Sequence, residues 1–170
     1  MSLNIDILLK DFKKSHQISN DAVLVVGVSG GCDSMVLLHA LQKVHSKITV
    51  AHVNYKLRGA DSDRDADLVK EISREYKLPF QCLEHDLSVD IDQYGGNLQE
   101  KARDIRYLFF QKLLNTYDSA YLVLAHHQGD QIENFWMQMA RGAGLRAMSG
   151  MKEKESRRLR PLLSCSKEQL

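Results

Sequence analysis

The sequence predicts an α/β protein: a doubly wound, mostly parallel sheet with helices on both faces. Three observations predict it. Short, continuously apolar runs alternate along the chain with stretches of helical periodicity, and that alternation specifies parallel strands joined by crossover helices. The runs are apolar without interruption, the pattern of strands covered on both sides. A glycine pair flanked by serines follows the first run directly, at the strand end where such sheets bind ligands.

Taken in order, Ile5–Lys14 reads as a short amphipathic helix. Ala22–Val28 is a β-branched run and the first strand; after the Gly30-Gly31 break, Met35–Val44 reads as a helix apolar nearly all round. Ile48–Val53 is the second strand, Asp63–Tyr76 a charged helix that ends before Pro79, and Phe80–His85 the third strand. Asp86–Gly96 is polar, carries Gly95-Gly96, and reads as a loop. From Leu98, apolar residues at 98, 102, 105, 109 and 113 trace one helical face through Leu114. Tyr121–His126 is the fourth strand. Ile132, Phe135, Trp136 and Met139 then repeat at i, i+3, i+4 and i+7, which predicts a stripe facing the core. Gly142–Pro161 is less regular and basic, and Ser164–Leu170 starts a helix that stops within two turns, as expected of a chain cut short.

A chain of 170 residues makes one domain, and 44% hydrophobic with 26% charged residues is globular composition. No apolar run approaches the ~18 residues of a membrane span, and the N-terminus lacks the basic and apolar regions of a signal peptide. Cys32, Cys82 and Cys165 are odd in number and form no C-x-x-C pair, which argues against a disulfide framework and a zinc knuckle. The expected location is a reducing cytoplasm. Net charge is +1, but Arg141 to Arg160 holds seven bases against two acids, compatible with RNA or ligand phosphates and equally with a solvated face.

The loop Gly27-Val28-Ser29-Gly30-Gly31-Cys32-Asp33-Ser34 runs from strand into helix. Glycines let a backbone approach a ligand and turn its N–H groups toward it. With serine hydroxyls and the partial positive charge of a helix N-terminus, the loop is an anion cradle. It is neither G-x-x-x-x-G-K-S/T nor G-x-G-x-x-G. Because no lysine follows, Asp33 points to a divalent metal, Mg²⁺, as partner of the phosphate charge. The alternative is a plain turn in which Asp33 or Ser34 caps the helix.

Ser29-Gly30-Gly31-Cys32-Asp33-Ser34 resembles the signature of the PP-loop ATP pyrophosphatases, of adenine nucleotide alpha hydrolase-like fold, which cleave ATP between the α and β phosphates. Further segments resemble the N-terminal domain of the tRNA(Ile)-lysidine synthetases. These are His52-Val53-Asn54-Tyr55-Lys56-Leu57-Arg58 with Ser62 and Asp63, and Glu100, Ala102, Arg103, Arg106 and Tyr107, similar to E-x-A-R-x-x-R-Y. Ala125-His126-His127-Gln128-Gly129-Asp130-Gln131-Ile132-Glu133 is similar to A-H-H-x-D-D-Q-x-E. Arg141-Gly142-x-Gly144-Leu145, Gly150-Met151 and Arg160-Pro161-Leu162-Leu163 follow in order, so the likeness runs from Val23 to Leu163.

The resemblance implies adenylation of C2 of the wobble cytidine, then attack by lysine with release of AMP and pyrophosphate. It implies ATP and Mg²⁺ as cofactors, and tRNA(Ile) with a CAU anticodon and free L-lysine as partners, with no membrane and a homodimer left open. Residues 1–170 would then be one catalytic domain, cut before C-terminal tRNA-binding domains. The implied roles are catalytic for Asp33, Arg106 and Asp130, with Asp33 and Asp130 at the metal. ATP would be bound by Ser29, Gly30, Gly31, Cys32, Asp33, Ser34, His52 and Asn54. Arg103, His126, Glu133 and Arg141 would contact substrate or phosphate. Asp130, Glu133 and Asn134 share one helical face by spacing, opposite the apolar stripe.

Three positions depart from the pattern: Gly129 for the first of two aspartates, Asn134 for threonine, Tyr55 for a common histidine. A weakened or differently coordinated metal is the expectation. Two other readings are a tRNA thiolase of the same superfamily and an ATP-binding domain without catalysis.

Overall fold

The computed structural model describes residues 4–87, 97–140, 142 and 150–170. The elements follow the predicted alternation: α1 (Ile5–Ser15), β1 (Val23–Gly27), α2 (Cys32–Val44), β2 (Ile48–Asn54), α3 (Ala60–Glu75), β3 (Phe80–Glu84), α4 (Leu98–Leu114), β4 (Ala120–Val123), α5 (Gln128–Ala140), β5 (Lys154–Glu155), β6 (Arg158–Leu159) and a 3₁₀ turn at Lys167–Gln169. The strands form one sheet in the order β3-β2-β1-β4-β6-β5. All neighbours are parallel except β5, which is antiparallel to β6. The chain steps outward from β1 to β3, then returns across β1 to β4. The strand order therefore reverses between β1 and β4, and a crevice opens beyond their C-terminal ends.

Period-2 alternation divides the core between two faces. Leu24 and Val26 of β1 with Ile48 and Val50 of β2 pack against Leu9 and Phe12 of α1, Leu37 and Leu41 of α2, and Val69 of α3. Val25, Ala51 and Leu122 turn the other way, against Phe110 and Leu114 of α4. The buried seam of α4 is thus centred on Phe110 and Leu114, not on the predicted 98-102-105-109-113 line. Phe109 and Leu113 of that line flank them, half-buried against the same cluster, while Leu98 is exposed. The irregular basic segment holds the short β5–β6 edge, and Arg157 ties it to α4 and β4 through Leu114 O and Ala120 O.

One expectation fails outright. No residue of α5 is buried, and Ile132, Phe135, Trp136 and Met139 are 54, 39, 58 and 44% exposed. Periodicity reports that one face of a helix is apolar, but it cannot report whether a partner covers it. Trp136 is the chain's single tryptophan, so its fluorescence reads this directly. Acrylamide is expected to quench the native protein nearly as well as the unfolded one, and strong protection would restore the core assignment. Among the described residues no helix is long and apolar enough to cross a membrane.

Candidate functional site

The crevice at the strand-order reversal encloses about 230 Å³. Its near wall is the β1–α2 loop, with Ser29, Gly31, Asp33 and Ser34; its far wall is Ala125 and His126 after β4, with Asp130 of α5. Arg106, Tyr107 and Phe110 of α4 close it from above the sheet. Space at its base depends on Gly27, where a Cβ would lie 2.9 Å from Leu124 Cδ2 and 3.0 Å from Phe110 Cζ.

The loop is braced from within. Ser34 Oγ donates to Gly31 O at 2.8 Å and accepts the Ser29 N–H at 3.2 Å, while Ser29 Oγ accepts the Gly31 N–H at 3.3 Å. Gly30 holds φ at +90°, and a Cβ there would meet Asp65 Cβ at 3.0 Å, so the turn requires glycine on both counts. Among the described residues no side chain caps the N-terminus of α2. The capping alternative for Asp33 and Ser34 therefore does not hold, and the positive end of the helix is left for an anion. Gly30 and Cys32 belong to the loop without walling the crevice: Gly30 backs onto Asp65, and Cys32 is exposed.

His52 and Asn54 do not reach the crevice; β2 contributes Ala51, and Val53 and Tyr55 continue that wall. Strand alternation explains the correction, since 52 and 54 share the opposite face with Ile48 and Val50. Both are buried braces. His52 Nδ1 bonds Val28 O at 2.8 Å. Asn54 donates to Asp63 Oδ1 at 2.7 Å and accepts the Lys56 N–H at 2.9 Å, which fixes the turn into α3. Tyr55, a departure from the family pattern, donates its hydroxyl to Ala102 O at 2.8 Å and so ties β2 to α4. Burial raises its pKa, partly opposed by the Arg106 cation.

His126 is held by a residue the sequence reading gave no role. Arg160 is 4% exposed, and its Nε donates to His126 Nδ1 at 3.2 Å while Nη1 donates to Lys152 O at 2.7 Å. An imidazole accepting at Nδ1 carries its proton on Nε2. Burial pushes the His126 pKa down to about 4; the Asp130 carboxylate opposes this, and the Arg160, Arg106 and Arg103 cations add to it. His126 therefore lines the crevice as a neutral donor at physiological pH.

Arg106 lines both the crevice and an adjoining cleft, where Glu100, Asp104 and Met137 accompany Arg103. The Arg103 guanidinium sits 5.5 Å from the Tyr107 ring centre, and Arg158 approaches the same ring at 5.3 Å. Glu133 is exposed on α5 outside both spaces, so of the face shared by Asp130, Glu133 and Asn134 only Asp130 enters the crevice. Arg141 lies outside the described residues. His127, also given no role from sequence, stands between the two aspartates: Nε2 is 3.5 Å from Asp33 Oδ2 and Nδ1 is 3.6 Å from Asp130 Oδ2.

Among the described residues no group of three or more His, Cys, Asp or Glu side chains makes a metal cage. Two carboxylates beside an anion cradle suit a different arrangement, a Mg²⁺ that completes its shell with water and phosphate oxygens. Asp33 and Asp130, which both line the crevice, are the residues that could hold it. The adjacent donors (loop N–H groups, Arg106 and neutral His126) are arranged to take a polyphosphate.

A PP-loop domain family matches residues 2–170. The chain is 35% identical over 95% of its length to the tRNA(Ile)-lysidine synthase of Bacillus subtilis strain 168, and 37% identical over 95% to that of Bacillus licheniformis. It is 33% identical over 98% to that of Clostridium tetani. It spans only 36–37% of the length of these curated relatives. Among solved structures it resembles a U34-tRNA thiolase from Methanococcus maripaludis, with TM-score 0.73 and 16% identity over 96% of this chain and 62% of that one. An NH3-dependent NAD synthetase from Campylobacter jejuni gives TM-score 0.65 and 13% identity, over 96% of this chain and 67% of that one. At such identities these two likenesses concern the fold alone.

Proposed function

The chain belongs to the PP-loop domain family, and on that premise we propose that it is the ATP-binding catalytic domain of a tRNA(Ile)-lysidine synthetase. The observation that carries the reading is the uncapped α2 N-terminus, with Asp33 beside it and Asp130 across the crevice. The relatives that share 33–37% identity over nearly the whole chain bear that enzyme's name.

In the proposed reaction the C2 carbonyl oxygen of the tRNA wobble cytidine attacks the α-phosphorus of ATP. The bond to the β-phosphate breaks and pyrophosphate leaves. The amine of free L-lysine then attacks C2, the C2–O bond breaks, AMP leaves with that oxygen, and the amine proton passes to solvent. Negative charge grows on phosphate oxygens in the first step, so fixed donors aimed at them carry most of the catalysis. The β1–α2 loop binds the pyrophosphate portion, Arg106 faces the α-phosphate or the base, and the His126 Nε2–H donates without exchanging its proton. Asp33 and Asp130 would hold Mg²⁺, which would supply charge neutralisation. A chain of about a third of its relatives' length is read as the catalytic portion, with tRNA grip supplied largely by further domains, from which tRNA(Ile) with a CAU anticodon would be presented.

The test is transfer of labelled lysine to a tRNA(Ile)-CAU transcript with Mg·ATP, using this chain and a version as long as the relatives. Label on tRNA with stoichiometric AMP is the expected result for the longer version. Mg·ATP bound by both but never split would favour an ATP-binding domain without catalysis, and label in neither with ATP still split would point to another substrate of the same chemistry.

A further inference from the structure

The turn from β2 into α3 brings a cation to the outer side of the β1–α2 loop. Asp65, in the second turn of α3, lies against Gly30: its Oδ1 is 3.3 Å from the place a Cβ would take on that glycine. The other carboxylate oxygen, Oδ2, accepts from Arg58 Nη2 at 2.6 Å. One carboxylate thus joins the loop to a guanidinium that is 69% exposed. The turn presenting Arg58 is braced. Ser62 Oγ accepts the Arg58 N–H at 3.1 Å, and Asn54 clamps the segment through Asp63 Oδ1 and the Lys56 N–H. The neighbouring cations turn elsewhere, Lys56 to Glu84 at 2.8 Å and Arg64 to Asp61 at 3.0 Å. Among the described residues Arg58 Nε and Nη1 have no partner, so the guanidinium keeps donors to spare beside Gly30.

Size and charge give those donors a use. The crevice encloses about 230 Å³, less than the ~300–1,000 Å³ of a typical small-molecule site. Part of a nucleoside triphosphate therefore lies outside it, and the anion cradle of the β1–α2 loop puts the polyphosphate at that edge. The loop has no lysine, and three carboxylates surround it, Asp33, Asp65 and Asp130. A triphosphate there needs cationic partners besides Arg106, and a planar guanidinium fork suits phosphate oxygens. We propose that Arg58 binds the terminal phosphates of the nucleotide, and that Asp65 orients its fork beside Gly30 so that Nε and Nη1 are left for them. This assignment rests on the ATP-binding part of the proposed function and on nothing about the RNA or the amino acid.

Binding titrations of the full chain test it, with Mg·ATP and Mg·pyrophosphate as the two probes. Arg58→Ala should weaken both by about tenfold or more, the worth of a charge-assisted hydrogen bond. Arg64→Ala removes an exposed cation of the same helix that is tied to Asp61 instead of Asp65. Screening should hold its effect on either probe to less than about twofold. The ligand-free Tm of Arg58→Ala should stay within about 2 °C of the parent, because an exposed ion pair adds little stability. Unchanged affinities in Arg58→Ala overturn the proposal. Equal losses in Arg58→Ala and Arg64→Ala also overturn it, since they report only the general field of that surface. Loss for Mg·ATP with pyrophosphate unaffected places Arg58 away from the terminal phosphates, and a loss matched by a large fall in Tm makes it a structural residue; either result overturns the assignment. A parent chain that binds neither probe overturns the ATP-binding reading itself and this assignment with it, an outcome distinct from a parent that binds while Arg58→Ala binds equally well.

Discussion

Asp33→Asn is expected to weaken Mg-dependent ATP binding by at least about a hundredfold while leaving Tm within a degree or two. The binding loss follows from placement. Asp33 lines the crevice beside an uncapped helix N-terminus, where a carboxylate would otherwise repel phosphate, so a cation must come between them. Removing one of the two carboxylates able to hold that cation takes away a charge-assisted interaction of about 3 kcal/mol, which is roughly a hundredfold. Stability should be nearly untouched because Asp33 is 29% exposed, caps nothing, and meets His127 Nε2 only at 3.5 Å, a contact the Asn oxygen can keep. Titration calorimetry with Mg·ATP, paired with thermal unfolding of the same samples, checks both halves. Unchanged affinity would remove Asp33 from the metal and return it to an ordinary first-turn acid.

Arg160→Ala is expected to cost about 2–4 kcal/mol of stability and to change how His126 titrates. The guanidinium is buried, and its loss strands His126 Nδ1 and Lys152 O at once, while Glu155 keeps Arg158 and solvent. In the parent chain His126 has a folded pKa of about 4 against an ordinary 6.5. Between these values the unfolded chain binds the extra proton, so stability rises with pH across that window and is lost as pH falls from about 6.5 to 4. The full loss is on the order of 3 kcal/mol at the acid end. Above pH 6.5 this group adds no slope. In Arg160→Ala water reaches the ring and one repelling cation is gone, so the His126 pKa should climb back toward 6.5 and the slope should flatten. Ring chemical shifts followed from pH 3.5 to 8 measure this directly, and a parent His126 that titrates near 6.5 would refute the neutral-donor assignment.

The alternation of apolar runs and helical periods was legible because each depends on neighbours within a few residues. Strand β1 and helix α4 accordingly lie within a residue or two of expectation. The Gly30-Gly31 loop was legible for a related reason, since positive φ and close approach are properties of one residue type at one place. His52 and Asn54 were read too simply: they sit at the correct strand end, but strand parity turns them away from the crevice and gives that wall to Ala51 and Val53. The α5 stripe erred in the opposite way, with the correct period and no cover. His127 and Arg160 were quoted within motifs yet carried no role, because their importance lies in contacts with Asp33 and His126, respectively 94 and 34 residues away along the chain.

Sequence alone was sufficient for the fold class, the glycine loop at the strand end and the family, all of which rest on local pattern or on motifs in fixed order. Which side chains face the crevice, which histidine accepts from a buried arginine and which one stands between the two aspartates followed only from strand order, the β1–β4 reversal and burial. Those depend on desolvation and distances between residues far apart in the chain, quantities that no local pattern encodes.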